Sequence, residues 1–182
     1  MPLSVWTIGH SNRSLEAFVE ILGAHQIQSV ADIRTVPRSR HNPQFNAEAL
    51  QTSLPRIGIL YAGLQRLGGL RSPRPDSRHG GLRDEAMRGY ADYMETAEFE
   101  KGVEELLSLA RAARTAFMCA EAVHDRCHRS LLSDALLCRG IDVVHLVDAQ
   151  KSATHRLTPH VKIRDGRPTY PVEQVSLSEL RS

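Results

Sequence analysis

The residues best suited to chemistry stand close together in one short stretch, 117–132. Thiols and imidazoles act as nucleophiles and proton carriers near neutral pH, and guanidinium groups hold anions. The stretch supplies all three groups and a carboxylate, in the order Cys119, Glu121, Cys127, His128 and Arg129. This combination predicts a site of catalysis or anion binding, but it does not specify a reaction.

The flanking sequence predicts the elements that position these groups. Residues Thr115 to Met118 form a short apolar run, which indicates a buried strand. After Arg129, apolar residues recur at helical spacing, which indicates a helix that begins near Cys127. A loop between a strand and a helix is a common ligand site in α/β proteins, and the free N–H groups of the helix favour an anion.

Several roles remain open for the individual residues of this loop. The helix start and the basic neighbours of Cys127 would lower its thiol pKa, so Cys127 is a candidate nucleophile; the alternative is an inert, packed thiol. Glu121 or His128 is the candidate acid or base, although Glu121 could instead pair with Arg129. Cys119 either lines the site or packs as a small apolar residue, and Cys138 is expected in the core.

Other strands should deliver polar groups to the same edge. Residues 3–9 predict a strand, Ser14 can cap a helix, and residues 27–33 predict a second strand. This βαβ pattern predicts a parallel sheet, whose ligands bind at the carboxyl ends of its strands. The anion-binding candidates at those ends are His10, Ser11, Asp32, Arg34, Cys119 and Arg129, with His145 and Asp148 as further possibilities.

Three familiar site types lack their usual spacing. A phosphatase loop needs Cys-x5-Arg, whereas six residues separate Cys119 from Arg126. No two cysteines show the close spacing typical of zinc sites, so no metal is expected. The segment 7–11 holds a single glycine, which excludes a glycine-rich dinucleotide loop, and no cofactor is expected.

Positive charge is concentrated in the middle of the chain. Ten arginines and four acidic residues lie between Arg34 and Arg88, whereas four basic and eight acidic residues lie between Gly89 and Arg126. An arginine-rich segment suggests an anionic partner. The alternative function is therefore nucleic-acid binding, with Arg38, Arg40, Arg71 and Arg74 as contacts. A third possibility is that the polar cluster at the strand ends is a structural hydrogen-bond network.

The whole sequence predicts one α/β domain over residues 1–182, with its core at about 3–150. Its expected form is a three-layer α/β/α sandwich with a mostly parallel sheet. The arginine-rich segment 37–83 should pack over the carboxyl edge and include a helix at 47–54 capped by Asn46 and a strand at 57–61. A hairpin is expected at about 158–171, around Asp165-Gly166, with a peripheral tail.

The sequence also predicts where the protein works. It shows no membrane-length apolar run and no secretion signal, and its three cysteines argue against a disulfide framework. We expect a cytoplasmic protein that binds a small anion such as phosphate, sulfate or a nucleotide, and no membrane. The oligomeric state stays open.

The order of these motifs resembles the bacterial and archaeal family called Domain of Unknown Function 488. The resemblance covers roughly Val5 to Leu146 and implies a compact three-layer α/β domain, without an assigned activity. It gives weight to one motif set: Ser11, Asp32, Arg34, Phe45, Tyr61, Gly68, Gly69, Cys119, Glu121, Cys127, His128 and Arg129.

Overall fold

The computed structural model describes residues 2–173. The strands are β1 (Ser4–Gly9), β2 (Ser29–Asp32), β3 (Leu60–Gly63), β4 (Thr115–Cys119), β5 (Asp142–Leu146), β6 (Ser152–Thr154), β7 (Lys162–Arg164) and β8 (Arg167–Thr169). The helices are α1 (Leu15–Ala24), α2 (Ala47–Ser53), α3 (Glu85–Tyr93), α4 (Ala97–Ala112) and α5 (His128–Leu137).

Six strands form the central sheet in the order β3-β2-β4-β1-β5-β6. The first five are parallel, and the short β6 runs antiparallel to β5 at one edge. In the centre of the sheet, Gly9 pairs with Cys119, and Asp32 pairs with Met118. The carboxyl ends of β1, β2 and β4 therefore lie side by side, as the sequence predicts.

Helices cover both faces of the sheet. On one face, Phe18 and Leu22 of α1 and Leu50 of α2 are buried in an apolar cluster. The same cluster includes apolar side chains that β1, β2 and β4 direct to that face. A second cluster holds the apolar sides of α3, α4 and α5 against the opposite face. This arrangement confirms the three-layer α/β/α fold with a mostly parallel sheet.

The chain reverses its direction of travel across the sheet between β2 and β4. From β2 it continues outward to the edge strand β3, whereas from β4 it crosses β1 to reach β5. The loops that leave β2 and β4 therefore diverge and open a crevice at their carboxyl ends. Open α/β sheets bind ligands at such switch points.

Two local predictions in the arginine-rich segment are wrong. The third strand begins at Leu60 and not at residue 57, because Pro55 starts a 3-10 turn that Gly58 closes at a φ of 79°. Asn46 stands at the start of α2, but its side chain does not cap that helix. Its Oδ1 instead accepts a hydrogen bond from the Ser39 N–H and ties down the preceding loop.

The C-terminal hairpin is confirmed, with Asp165 and Gly166 at positive φ between β7 and β8. Cys138, expected in the core, is only half-buried because it lies at the C-terminal end of α5. The peripheral tail expected after Pro171 falls mostly on residues 174–182, which lie outside the described part. Within residues 2–173, no helix has the length and apolarity that crossing a membrane requires.

Candidate active site

The crevice between β2 and β4 holds a pocket of about 350 Å³. Arg34 and Thr35 line it from the end of β2, and Cys119 and Glu121 line it from the end of β4. Apolar side chains supply much of the remaining wall, namely Val36, Leu70, Ala86, Met87 and Ala120. Its size lies within the range of small-molecule sites, and its wall suits a ligand with an apolar part.

Two thiols and an imidazole meet in this pocket. Cys119 ends β4, Cys127 precedes the first turn of α5, and His128 begins that helix. Their ligating atoms all lie within 4.8 Å of one another, and the His128 Nδ1 lies 3.5 Å from the Cys127 sulfur. Both thiols are buried and reduced. The fold thus brings together two cysteines that are eight positions apart in sequence.

The pKa values of the two thiols are shifted in opposite directions. The pKa of Cys127 falls to about 6, because the Cys119 thiol donates a hydrogen bond to its sulfur and because the charge and backbone N–H of Arg129 stabilise the thiolate. The pKa of Cys119 rises to about 12, because its proton is held in that hydrogen bond and its surroundings are buried. The arrangement therefore favours a thiolate at Cys127 that accepts a hydrogen bond from the Cys119 thiol.

Arg129 is among the largest fully buried side chains of the protein. Its guanidinium donates to the Thr7 hydroxyl and to the backbone carbonyls of Glu121 and Ala122, not to the Glu121 carboxylate. These bonds fix the loop between β4 and α5 against β1. The Arg129 guanidinium is therefore engaged inside the protein, although sequence analysis predicts it as an anion ligand.

Five residues singled out in the sequence form a hydrogen-bond network beside the pocket. Asp32 accepts from Arg34 Nε at 2.8 Å and from the Tyr61 hydroxyl at 2.7 Å. Arg34 also donates to the Phe45 carbonyl and to His10 Nε2. Most hydrogen-bond donors of Arg34 are thus occupied within the protein. This part of the polar cluster fits the alternative prediction of a structural hydrogen-bond network.

His10 completes that network and is buried. Its ring stacks on Phe45 with centroids 4.4 Å apart, and its Nδ1 bonds the Ser11 carbonyl at 2.7 Å. Burial lowers the pKa of His10, so the ring is neutral and accepts from Arg34. Neither His10 nor Ser11 lines the pocket; the Ser11 hydroxyl bonds the adjacent Asn12 at 3.4 Å.

Two charged side chains remain exposed at the pocket. The Glu121 carboxylate accepts a hydrogen bond from the Val123 N–H, and it lies on the same wall as Cys119. Arg126 also lines the pocket, and within the described range its guanidinium has no ion-pair partner. Sequence analysis missed Arg126, although it directly precedes Cys127.

The four arginines predicted as nucleic-acid contacts do not line this pocket. Arg38 pairs with Glu48, Arg71 stacks on the Tyr93 ring at 3.6 Å, and Arg74 pairs with Glu95. Arg40 is exposed. Of these four arginines, Arg74 pairs with an acidic residue of the following segment, and Arg38 pairs within its own segment.

Sequence analysis names His145 as a possible site residue, but it does not predict the buried chain of polar groups to which His145 belongs. Asp134 accepts from the Tyr170 hydroxyl and bonds His155, whose Nδ1 lies 2.9 Å from His145 Nε2. His124 stacks on His145 with centroids 3.5 Å apart. The sequence offers no signal for this chain, because its members come from α5, β5 and the segment after β6.

The three-residue cluster in the pocket could in principle supply metal ligands. Two thiolates and an imidazole are three of the four groups of many zinc sites. A ligating histidine, however, normally donates its other N–H to a fixed acceptor, and the buried His128 Nε2 has no partner among residues 2–173. The chemistry of the set therefore fits a pair of thiols better than a metal centre.

Comparison with known proteins identified a family and no characterised relative. No curated protein and no solved structure matched the chain. The model of the family described as domain of unknown function DUF488 matches residues 14–136, which include β2, β4, both pocket cysteines and most of α5. The chain therefore belongs to the DUF488 family.

Proposed function

We propose that the protein is a cysteine-dependent enzyme in which the Cys127 thiolate attacks a small molecule bound between β2 and β4. The observation that carries this proposal is the meeting of Cys127, Cys119 and His128 within 4.8 Å in a pocket at the switch point of the sheet. A thiolate is the reactive form of cysteine. The lowered pKa of Cys127 supports the assignment.

The neighbours of Cys127 take separate roles. Cys119 donates a hydrogen bond that stabilises the thiolate, and Arg129 adds a buried positive charge behind it. The His128 imidazole, at 3.5 Å from the sulfur, is placed to give or take a proton. We assign Glu121 the same kind of role toward the substrate, because its carboxylate is exposed on the pocket wall.

The pocket suits a molecule with an anionic group and an apolar part. The exposed Arg126 guanidinium and the backbone N–H groups at the start of α5 provide positive potential beside the thiolate. Val36, Leu70 and Met87 offer apolar contacts on the other side. Arg34 is a weaker anion ligand in this proposal, because Asp32 already binds it.

Nucleic-acid binding is less favoured by the geometry. Arg74 and Arg78 share Glu95, and Arg66 binds Glu98 and Glu105. These arginines are partly neutralised by the protein itself, which weakens the attraction for phosphates. The exposed Arg40 remains a candidate contact.

Selective alkylation tests the proposal. Reduced protein is treated with limiting iodoacetamide at pH 7, and the labelled peptides are quantified by mass spectrometry. We expect Cys127 to react faster than Cys138, although Cys127 is the more buried thiol, because reactivity follows the thiolate fraction. If Cys138 is labelled faster, exposure and not thiolate fraction determines the labelling rate, and the proposal of a reactive Cys127 is wrong.

Protection by anions tests the ligand class. Phosphate, sulfate and AMP are added separately before alkylation at constant ionic strength. A ligand in the pocket should slow the labelling of Cys127 and not that of Cys138, and Arg126→Gln should weaken that protection. Arg40→Gln is the matched control, since it removes the same charge from an exposed site outside the pocket. Equal labelling with and without each anion would remove the anionic ligand from the proposal.

A further inference from the structure

A nucleophilic Cys127 does not by itself require a second thiol beside it. A hydroxyl or an N–H group could stabilise the thiolate equally well, without the sensitivity to oxidation of a cysteine. The structure nevertheless places Cys119 against Cys127, at the end of a fully buried strand. The second sulfur therefore points to a reaction that uses both thiols.

We infer that Cys119 is the resolving thiol of a dithiol centre, and that the substrates of Cys127 include hydroperoxides. This inference rests on the proposed nucleophilic role of Cys127 and adds a substrate class to it. The geometry that carries it is the pairing of two unbridged sulfurs within 4.8 Å on the wall of a largely apolar pocket that is also lined by the exposed Arg126.

The reaction has two balanced steps. In the first, the Cys127 thiolate attacks the oxygen that carries the hydroperoxide hydrogen, a sulfur–oxygen bond forms and the oxygen–oxygen bond breaks. The products are a sulfenic acid on Cys127 and an alkoxide, which takes one proton from water and leaves as an alcohol. In the second, the Cys119 thiol loses its proton and attacks the Cys127 sulfenic acid. A disulfide forms, and hydroxide leaves as water with that proton. Two thiols are oxidised, and one hydroperoxide is reduced.

The acidities of the two thiols suit this order of events. While Cys127 is a thiolate, its hydrogen bond holds the proton of Cys119 and raises the pKa of that thiol to about 12. Cys119 is then a donor and not a competing nucleophile. Oxidation converts Cys127 to a neutral sulfenic acid, which removes the negative charge that holds the proton. Cys119 thus becomes easier to deprotonate once its target has formed.

The pocket also restricts which oxidant can reach the pair. Its volume of about 350 Å³ admits a small molecule. Because both thiols are buried, the disulfide of a folded protein cannot reach them. Arg126 and the N–H groups at the start of α5 can donate hydrogen bonds to the leaving oxygen. The apolar wall around Leu70 and Met87 favours an organic hydroperoxide with a hydrocarbon group.

Thiol counting after mild oxidation tests the inference. The fully reduced, chelator-treated protein receives one equivalent of tert-butyl hydroperoxide, and free thiols are counted after denaturation. We expect the three thiols to fall to one, with Cys119 and Cys127 joined in a disulfide in the non-reduced peptide map. Dithiothreitol should restore all three.

Variants at each cysteine separate the two steps. Cys119→Ser should retain fast oxidation of Cys127 but stop at a sulfenic acid that dimedone traps. Cys127→Ser should slow peroxide consumption roughly tenfold or more, because the buried neutral Cys119 thiol reacts poorly. Cys138→Ser is the control and should form the same disulfide as the wild type.

The outcomes distinguish this inference from the proposed function. If Cys127 is alkylated rapidly but the wild type forms no Cys119–Cys127 disulfide, the resolving role fails and the nucleophile stands. If Cys127 is slow toward both iodoacetamide and hydroperoxide, both proposals fail. Stoichiometric zinc that protects all of Cys119, Cys127 and His128 in the protein before chelation would also overturn the dithiol centre.

Discussion

The acidity of Cys127 depends on one neighbouring side chain. The Cys119 thiol makes the largest contribution to its lowered pKa, ahead of the charge of Arg129. The Cys119→Ala variant removes this donor without adding another. We expect the pKa of Cys127 to rise from about 6 toward its ordinary value, because the thiolate loses its strongest hydrogen bond. The measurement is the alkylation rate of Cys127 as a function of pH.

Two variants control this prediction. Cys119→Ser offers a hydroxyl donor at the same place and should retain part of the effect, whereas Cys138→Ala should leave the pH profile of Cys127 unchanged. An unaltered profile in Cys119→Ala would assign the acidity to Arg129 and the helix terminus alone.

The burial of Arg129 predicts a large structural effect. Arg129→Leu would leave the Thr7 hydroxyl and the carbonyls of Glu121 and Ala122 without their donor inside the protein. Losing bonds from a buried charged group should lower the free energy of unfolding by about 3 kcal/mol. Urea denaturation measures this change.

The neighbouring exposed arginine provides the contrast. Arg126→Gln should change the free energy of unfolding by less than about 0.5 kcal/mol, because its side chain lies at the surface. Equal losses in the Arg126 and Arg129 variants would contradict the different positions of the two guanidinium groups.

At the level of elements, one carboxylate beside α3 binds three side chains of the arginine-rich segment. Glu95 follows α3 and binds Arg74, Arg78 and the fully buried His79. Glu95→Gln removes the negative charge that these three groups share. We expect a loss of about 1–2 kcal/mol in the free energy of unfolding, because Arg78 and the buried His79 lose their carboxylate partner. Arg74, in contrast, keeps Asp92. Thermal or urea unfolding provides the test.

Glu85→Gln is the matched control for Glu95→Gln. Glu85 is the first residue of α3, the helix that Glu95 follows, but it is exposed and lies 3.8 Å from Arg88. Exposed ion pairs contribute little, so this variant should have almost no effect. A similar loss in both variants would show that helix charge in general, and not the attachment of the 74–79 segment, accounts for the change.

The central elements could be predicted because they are buried on both faces. β2 and β4 are fully buried. β4 reads as a nearly continuous apolar run, which is the expected pattern of a covered parallel sheet, whereas in β2 only Val30 and Ala31 are apolar. The three residues of β6 are exposed, and no apolar run marks them. The start of β3 was misplaced because Ile57 is apolar but belongs to a turn, and half of its side chain is exposed.

The meeting of polar side chains at one edge of the sheet could also be predicted, whereas the partners of the charged groups could not. Strand ends in a parallel sheet converge whatever their loops contain, so Cys119 and Arg34 had to lie near each other. Whether a given arginine side chain is available to a ligand depends on hydrogen-bond and ion-pair partners that are distant in the sequence. Arg129 bonds Thr7, and Arg74 bonds Glu95, and neither pairing leaves a pattern in the sequence.

Over the whole molecule, buried histidines link stability to pH. Burial lowers the pKa of His145 to about 3, and it also lowers the pKa values of His10, His79 and His124. The chain that joins His145 through His155 to Asp134 crosses from β5 to α5. Protonating His145 would place a charge in this chain, directly beneath the stacked His124 ring.

The sign of the pH effect follows from the two states. The ordinary histidine pKa in an unfolded chain is 6.5, and the pKa of His145 in the folded protein is about 3. Between these values the unfolded state binds a proton that the folded state does not, so acid favours unfolding. The stability due to neutral His145 is therefore complete above pH 6.5 and is lost as the pH falls toward 3.

Urea denaturation between pH 7 and pH 4 measures this linkage. Below pH 6.5, each such histidine should lower the free energy of unfolding by up to about 1.4 kcal/mol per pH unit. His145→Asn should make the dependence shallower by one histidine, even if it lowers stability at pH 7. His41→Asn, at an exposed position, should leave the slope unchanged. If the His145 variant retains the full wild-type slope, the buried chain does not set the acid sensitivity of the fold.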